Sequence, residues 1–189
     1  MATFRAESDY ELFLWFLAFA ARKYRLRVHA YTLMTNHIHT MVTPETAIGL
    51  ARGMQSLGRR YVRYFNDRYD RTGTLWEGRF RTALIVDERY WLTCLRYVEM
   101  NPVRAGLVGV PESYRWSSYR AHALGARDPI VASHGLYEAL ATSADRRQEA
   151  WRQICAPALE IERLKALRKS IAEGIVSSEP RETVDVCSN

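Results

Sequence analysis

Cysteine is scarce in this 189-residue chain: Cys94, Cys155 and Cys187 are scattered and odd in number. With no Cys-x-x-Cys spacing, neither a disulfide framework nor a thiolate zinc site is indicated, and a reducing cytoplasm is the natural setting. Long hydrophobic runs are also missing. The apolar stretch from Leu12 to Ala21 is too short to span a bilayer, and acidic Glu7, Asp9 and Glu11 stand where a secretion signal needs basic residues. That stretch reads as a buried helix, and no membrane association is expected. There is no Walker loop, Gly-rich dinucleotide turn, Ser nucleophile elbow, two-metal carboxylate cluster or internal repeat. No nucleotide cofactor is therefore expected. Lysine is rare beside arginine, whose planar fork suits bidentate phosphate contacts.

The hydrophobic fraction of 48% and charged fraction of 25% are those of an ordinary globular protein, long enough for one domain with an appendage. Net charge is +6 and the pI about 9.4, which favours a polyanionic partner. The excess sits in residues 1–126, with 18 Arg/Lys against 11 Asp/Glu; residues 127–189 hold 9 against 10.

Ser8 and Glu11 have capping-box spacing and predict a helix to about Tyr24, with Leu12, Trp15, Phe16 and Phe19 on one face. Leu26 to Tyr31 reads as a strand, Thr35-Asn36 as a hairpin turn, and the stretch to Pro44 as the second strand. A second helix, capped near Thr46, runs to about Tyr69 with the apolar stripe Leu50, Met54, Leu57, Tyr61 and Phe65. Its arginines Arg52, Arg59, Arg60 and Arg63 lie largely elsewhere, an arrangement suited to nucleic acid or, equally, to a solvated basic face. Thr74 to Val86 reads as an extended segment ending in a strand, and Asp87 as the N-cap of a third helix. From about His134 to Gly174 the pattern is helical; from Val176 to Asn189 it is polar and aperiodic, predicting a disordered tail.

Two features carry chemistry. His37 and His39 flank Ile38 on the second strand, so both imidazoles leave one face, as half of a divalent-metal site or as a polar pair on a wet face. Tyr97 and Asn101 stand four apart on the third helix, which Pro102 is expected to stop. By themselves they read as a half-buried core tyrosine and a helix-terminating asparagine.

Three blocks occur in order: Leu33-Met34-Thr35-Asn36-His37-Ile38-His39, Gly73-Thr74-Leu75-Trp76-Glu77-Gly78-Arg79-Phe80, and Arg96-Tyr97-Val98-Glu99-Met100-Asn101-Pro102-Val103-Arg104-Ala105-Gly106-Leu107-Val108. Tyr114-Arg115-Trp116-Ser117-Ser118-Tyr119 completes the pattern. Residues 5 to 126 closely resemble the REP-associated tyrosine transposases, relatives of the single-tyrosine HUH transposases. The resemblance implies an α+β fold with a ferredoxin-like antiparallel sheet backed by helices, here lacking its first strand, with Thr35 in place of a usual Pro. It divides the chain into a transposase domain (1–126), a helical extension (127–175) and the tail (176–189).

The resemblance also implies a function. His37 and His39 would bind catalytic Mg²⁺ or Mn²⁺, Asn101 would be the third ligand where more distant relatives have Gln, and Tyr97 would be the nucleophile. The substrate implied is single-stranded DNA folded as a short imperfect hairpin, as in repetitive extragenic palindromes, cut through a 5′-phosphotyrosine intermediate. A monomer or homodimer associated with the nucleoid is expected. On charge, Arg59, Arg60, Arg63, Arg79 and Arg81 are candidates for holding phosphates. The runner-up reading is a catalytically silent hairpin-DNA-binding protein.

Overall fold

Asp9 organises the start of the molecule. Its buried carboxylate accepts from the backbone N–H groups of Arg5 (2.7 Å) and Ala6 (3.0 Å) and from the hydroxyls of Tyr64 and Tyr69, 2.8 Å each. Helix α1 (Glu7–Tyr24) therefore begins one residue before the expected Ser8 box, because Asp9 supplies the acceptor for the orphan donors. The buried face is Phe13, Leu17 and Ala20 rather than Leu12, Trp15, Phe16 and Phe19; Trp15 is 56% exposed. A helix apolar on every side has no periodicity to choose its inner face. The choice falls to Tyr61, which packs edge-on to Phe13 at 5.0 Å. The computed structural model describes residues 2–76, 78, 80–157 and 161–176, with 161 and 163 described by backbone alone.

Strands β1 (Leu26–Leu33) and β2 (Ile38–Pro44) form the antiparallel hairpin. Met34 N–H donates to His37 C=O at 2.8 Å, closing the turn over Thr35-Asn36 as expected. An irregularity between Val28 and Ala30 shifts the alternation at His29. Past it, Tyr31 and Leu33 face α1 and α2 (Gly49–Arg68), together with Ile38 and Val42, while Ala30 and Met41 face the opposite layer. Leu57, Tyr61 and Phe65 of the predicted α2 stripe are buried, with Leu50 and Met54 at its margin. The expected Thr46 cap is replaced: its carbonyl accepts from Gly49 N–H, and α2 starts with no side-chain cap.

The outer edge of β1 is occupied by two later segments. Leu33 N–H donates to Trp116 C=O (2.9 Å), Ser118 N–H to Tyr31 C=O (3.0 Å) and Ala132 N–H to Val28 C=O (2.7 Å). Among the described residues β2 pairs with no strand other than β1. The expected strand after residue 74 is short, β3 (Leu84–Ile85), and its partner is not this hairpin.

A 3-10 turn (Glu88–Tyr90), capped by Asp87 Oδ1 accepting from Arg89 N–H at 3.0 Å, leads into α3 (Trp91–Glu99) and the short α4 (Asn101–Arg104). Pro102 breaks the helix at Met100 without ending helical structure, since its missing N–H is harmless in a first turn. A 3-10 turn (Pro111–Ser113) precedes α5 (Tyr119–Leu124), α6 (Gly135–Glu138), α7 (Ala144–Cys155), α8 (Ile161–Glu173) and β4 (Ile175–Val176), which runs parallel to β3. Tyr137, Trp151, Cys155, Leu167 and Val176 share one core with Trp91, Leu95, Tyr97 and Val98. Val176, expected in the polar tail, is thus a buried strand residue, because the edge of β3 gives it a partner. The rest of the expected tail, 177–189, lies outside the described residues.

Candidate active site

The hairpin and α3 bring three of the expected side chains together. His37 Nε2 and His39 Nε2 are 3.0 Å apart, with the rings edge to face at 4.8 Å between centroids. His37 Nδ1 lies 2.7 Å from Asn36 Oδ1. A carbonyl oxygen only accepts, so the proton sits on Nδ1 and the Nε2 lone pair of His37 is directed at His39. Burial holds His37 below its ordinary pKa. Burial, followed by the charges of His37 and Arg104, pushes His39 down to about 4. Both imidazoles are therefore neutral near pH 7, the form that ligates metal.

On the other side of His39 stands Tyr97, its ring nearly perpendicular (83°) at 5.9 Å between centroids. Asn101 lies one turn on. Its Nδ2 donates to the carbonyl of Tyr97 at 3.0 Å, and its Oδ1 accepts from Arg104 Nη2 at 2.7 Å. Among the described residues no hydrogen bond joins Asn101 to either histidine. Arg104 stacks its guanidinium 4.2 Å from the centroid of the Tyr97 ring and also donates to the Tyr97 carbonyl at 2.7 Å. Burial lowers its pKa to about 10; Tyr97 opposes that shift, while Arg168 and Arg96 add to it. Arg104 was not singled out from the sequence. Its signal was the seven-residue spacing from Tyr97, two helical turns along one face.

Two convergent neutral imidazoles fit a divalent cation. Among the described residues no three or more His, Cys, Asp or Glu side chains gather, so a third side-chain ligand would have to be of another type, such as the Asn101 amide oxygen, which here accepts from Arg104. Behind the site, α3 is anchored by Glu99, which is fully buried. Its Oε1 accepts from Ser118 Oγ (2.5 Å) and His122 Nδ1 (2.7 Å), and its Oε2 from Trp151 Nε1 (2.9 Å). Thr32 Oγ1 on β1 donates to the Val98 carbonyl at 2.8 Å, pinning the same helix to the sheet.

A family model described as Transposase IS200 like matches residues 3–101, just over half of the chain. The chain belongs to the IS200-like transposase family. The match spans His37, His39 and Tyr97 and ends at Asn101; Arg104 and the C-terminal helices lie beyond it. Neither a curated protein nor a solved structure matches the chain. Family membership makes the transposase a DNA-processing enzyme with a role in DNA transposition. Among the described residues no helix is long and apolar enough to cross a membrane.

Of the arginines expected to hold phosphates, the three on α2 lie away from this site. Arg59, Arg60 and Arg63 are exposed on α2, which packs on the sheet face opposite α3. Arg60 lies over the Phe19 ring at 4.5 Å, and Arg63 faces Asp67 at 3.8 Å. Arg81 is exposed, and Arg79 lies outside the described residues.

Proposed function

We propose that this transposase is a metal-dependent single-stranded DNA endonuclease and strand transferase acting on hairpin-forming repetitive palindromes. The observation carrying the reading is the approach of His37 Nε2 and His39 Nε2 to 3.0 Å with Tyr97 packed against His39. His37, His39 and Asn101 would hold Mg²⁺ or Mn²⁺. When bound, that cation supplies Lewis-acid polarisation of the scissile phosphodiester. Tyr97 Oη attacks phosphorus: an O–P bond forms to the tyrosine and the bond from phosphorus to the 3′ oxygen breaks. The phenolic proton leaves to solvent, and the freed 3′ oxygen takes one up. A 3′-hydroxyl of the same or another strand reverses the step and rejoins DNA, so the bond energy is kept in the phosphotyrosine. The reaction is expected to take place at the nucleoid.

One observation favours the alternative, a catalytically silent hairpin-DNA-binding protein. The amide of Asn101 is committed to Tyr97 and Arg104 rather than to the histidines. A single gel separates the two. Labelled hairpin single strand and Mn²⁺ should yield a denaturant-resistant protein–DNA adduct that is lost with a chelator and in Tyr97→Phe. Hairpin binding without any adduct would establish the silent binder.

A further inference from the structure

Both ends of the Asn101 amide are engaged, and the break between α3 and α4 is the reason. Tyr97 C=O and Val98 C=O lie at the broken end of α3, and Pro102 has no N–H to offer Val98. Asn101 Nδ2 fills in, donating to Tyr97 C=O at 3.0 Å and to Val98 C=O at 3.4 Å. Arg104 Nη2 closes the ring. It donates to the same Tyr97 C=O and to Asn101 Oδ1, 2.7 Å each, with the guanidinium braced 4.2 Å from the centroid of the Tyr97 ring. The amide oxygen that the metal reading needs is thus the acceptor of a charge-assisted hydrogen bond, the stronger kind. None of the ion pairs among the described residues includes Arg104, so no carboxylate there pairs with its charge. A cation that took Asn101 Oδ1 as a ligand would stand beside this guanidinium on one oxygen. Like charges that close repel, and an arginine cannot shed its proton to make room.

We propose that Arg104 is a positioning residue that competes with the metal for Asn101, so that the DNA-free protein holds its cation through the two histidines. The proposal rests on the metal-dependent reading of the site. It also reconciles that reading with the engaged amide: Asn101 is a ligand withheld rather than a ligand lost. Arg104 then sets how tightly the site binds metal without touching the cation.

The test titrates Mn²⁺ calorimetrically into the full, DNA-free chain, with variants that form a double-mutant cycle. Arg104→Met removes the charge and the hydrogen bond, and it should tighten Mn²⁺ binding by about 3–10-fold, the coupling expected within one hydrogen-bond network. The same substitution made in Asn101→Ala should change affinity by less than about 2-fold, because no ligand is left to release. A melting temperature reports whether each variant folds, and a purely structural role for Arg104 would not produce this dependence on Asn101. If Arg104→Met fails to fold, Arg104→Gln takes its place; its amide can donate to Tyr97 C=O but carries no charge, and the direction is the same. Affinity that is unchanged or weaker in folded Arg104→Met overturns the proposal, the weaker result meaning that Arg104 presents Asn101 to the metal. A gain that persists in Asn101→Ala also overturns it, since charge repulsion at His39 would then be the cause. His37→Ala separates the proposal from the reading beneath it. Mn²⁺ binding lost in His37→Ala but unmoved by Arg104→Met leaves the metal site standing and sinks the competition. No Mn²⁺ binding by wild type or by Arg104→Met sinks both.

Discussion

Asp9 is a charged side chain fully removed from water, and four donors keep it ionised. Burial alone would raise its pKa; the bonds from Arg5, Tyr69, Tyr64 and Ala6 outweigh that and hold it below the ordinary 3.8. A carboxylate depressed in the folded state contributes stability that is present above the unfolded value and lost as pH falls through the folded one. Asp9→Asn should therefore cost about 2–4 kcal/mol at pH 7 by urea denaturation. The gap from wild type should narrow below pH 3.8; a gap independent of pH would contradict the assignment. Glu99, near Tyr97, is a second buried carboxylate held by hydrogen bonds. Glu99→Gln places an amide N–H where donors already point, and roughly 2–4 kcal/mol of stability should go with it. Wild-type stability in that variant would mean the network does not hold α3. At this scale the sequence was partly legible. The common direction of His37 and His39 follows from strand alternation alone, whereas Glu99 owes its role to Ser118, His122 and Trp151, all remote in sequence.

At the scale of elements, the hairpin and the inner stripe of α2 were readable because alternation and helical spacing act over neighbouring residues. The facing of α1 was not, since an apolar residue stands on every side of it. The partner of β3 was not readable either, because a two-residue strand carries no periodicity and its mate comes from the chain's far end. The junction of α2 with the end of α1 gives a direct test of packing. A Cβ at Gly49 would lie 2.8 Å from the backbone oxygen of Tyr24 and 2.8 Å from Thr46 Oγ1. Alanine favours a helix over glycine by about 1 kcal/mol. Even so, Gly49→Ala should destabilise by about 1–3 kcal/mol, because a backbone atom cannot step aside. A stabilised variant, measured by thermal unfolding, would show that α2 can shift.

At the scale of the whole molecule, the layer that carries Tyr97 is finished by the C-terminal helices. Trp151 is fully buried in the core shared with Tyr97 and also donates to Glu99, so α3 does not complete its own surroundings. A chain ending at residue 126 should melt lower by roughly 10 °C or more, the consequence of losing several kcal/mol of packing. Equal melting temperatures would show that 1–126 folds by itself. Charge singled out Arg59, Arg60 and Arg63 on α2, together with Arg79 and Arg81, because a sequence displays its basic residues but not which face of the fold carries them. The account turns on Tyr97 as the attacking group. The most direct measurement is to digest the adduct formed with hairpin single strand and Mn²⁺ and to locate the nucleotide remnant by mass spectrometry. The account predicts a 5′-phosphonucleotide on the peptide containing Tyr97. A remnant on any other residue, or no adduct from protein that binds the hairpin, would contradict it.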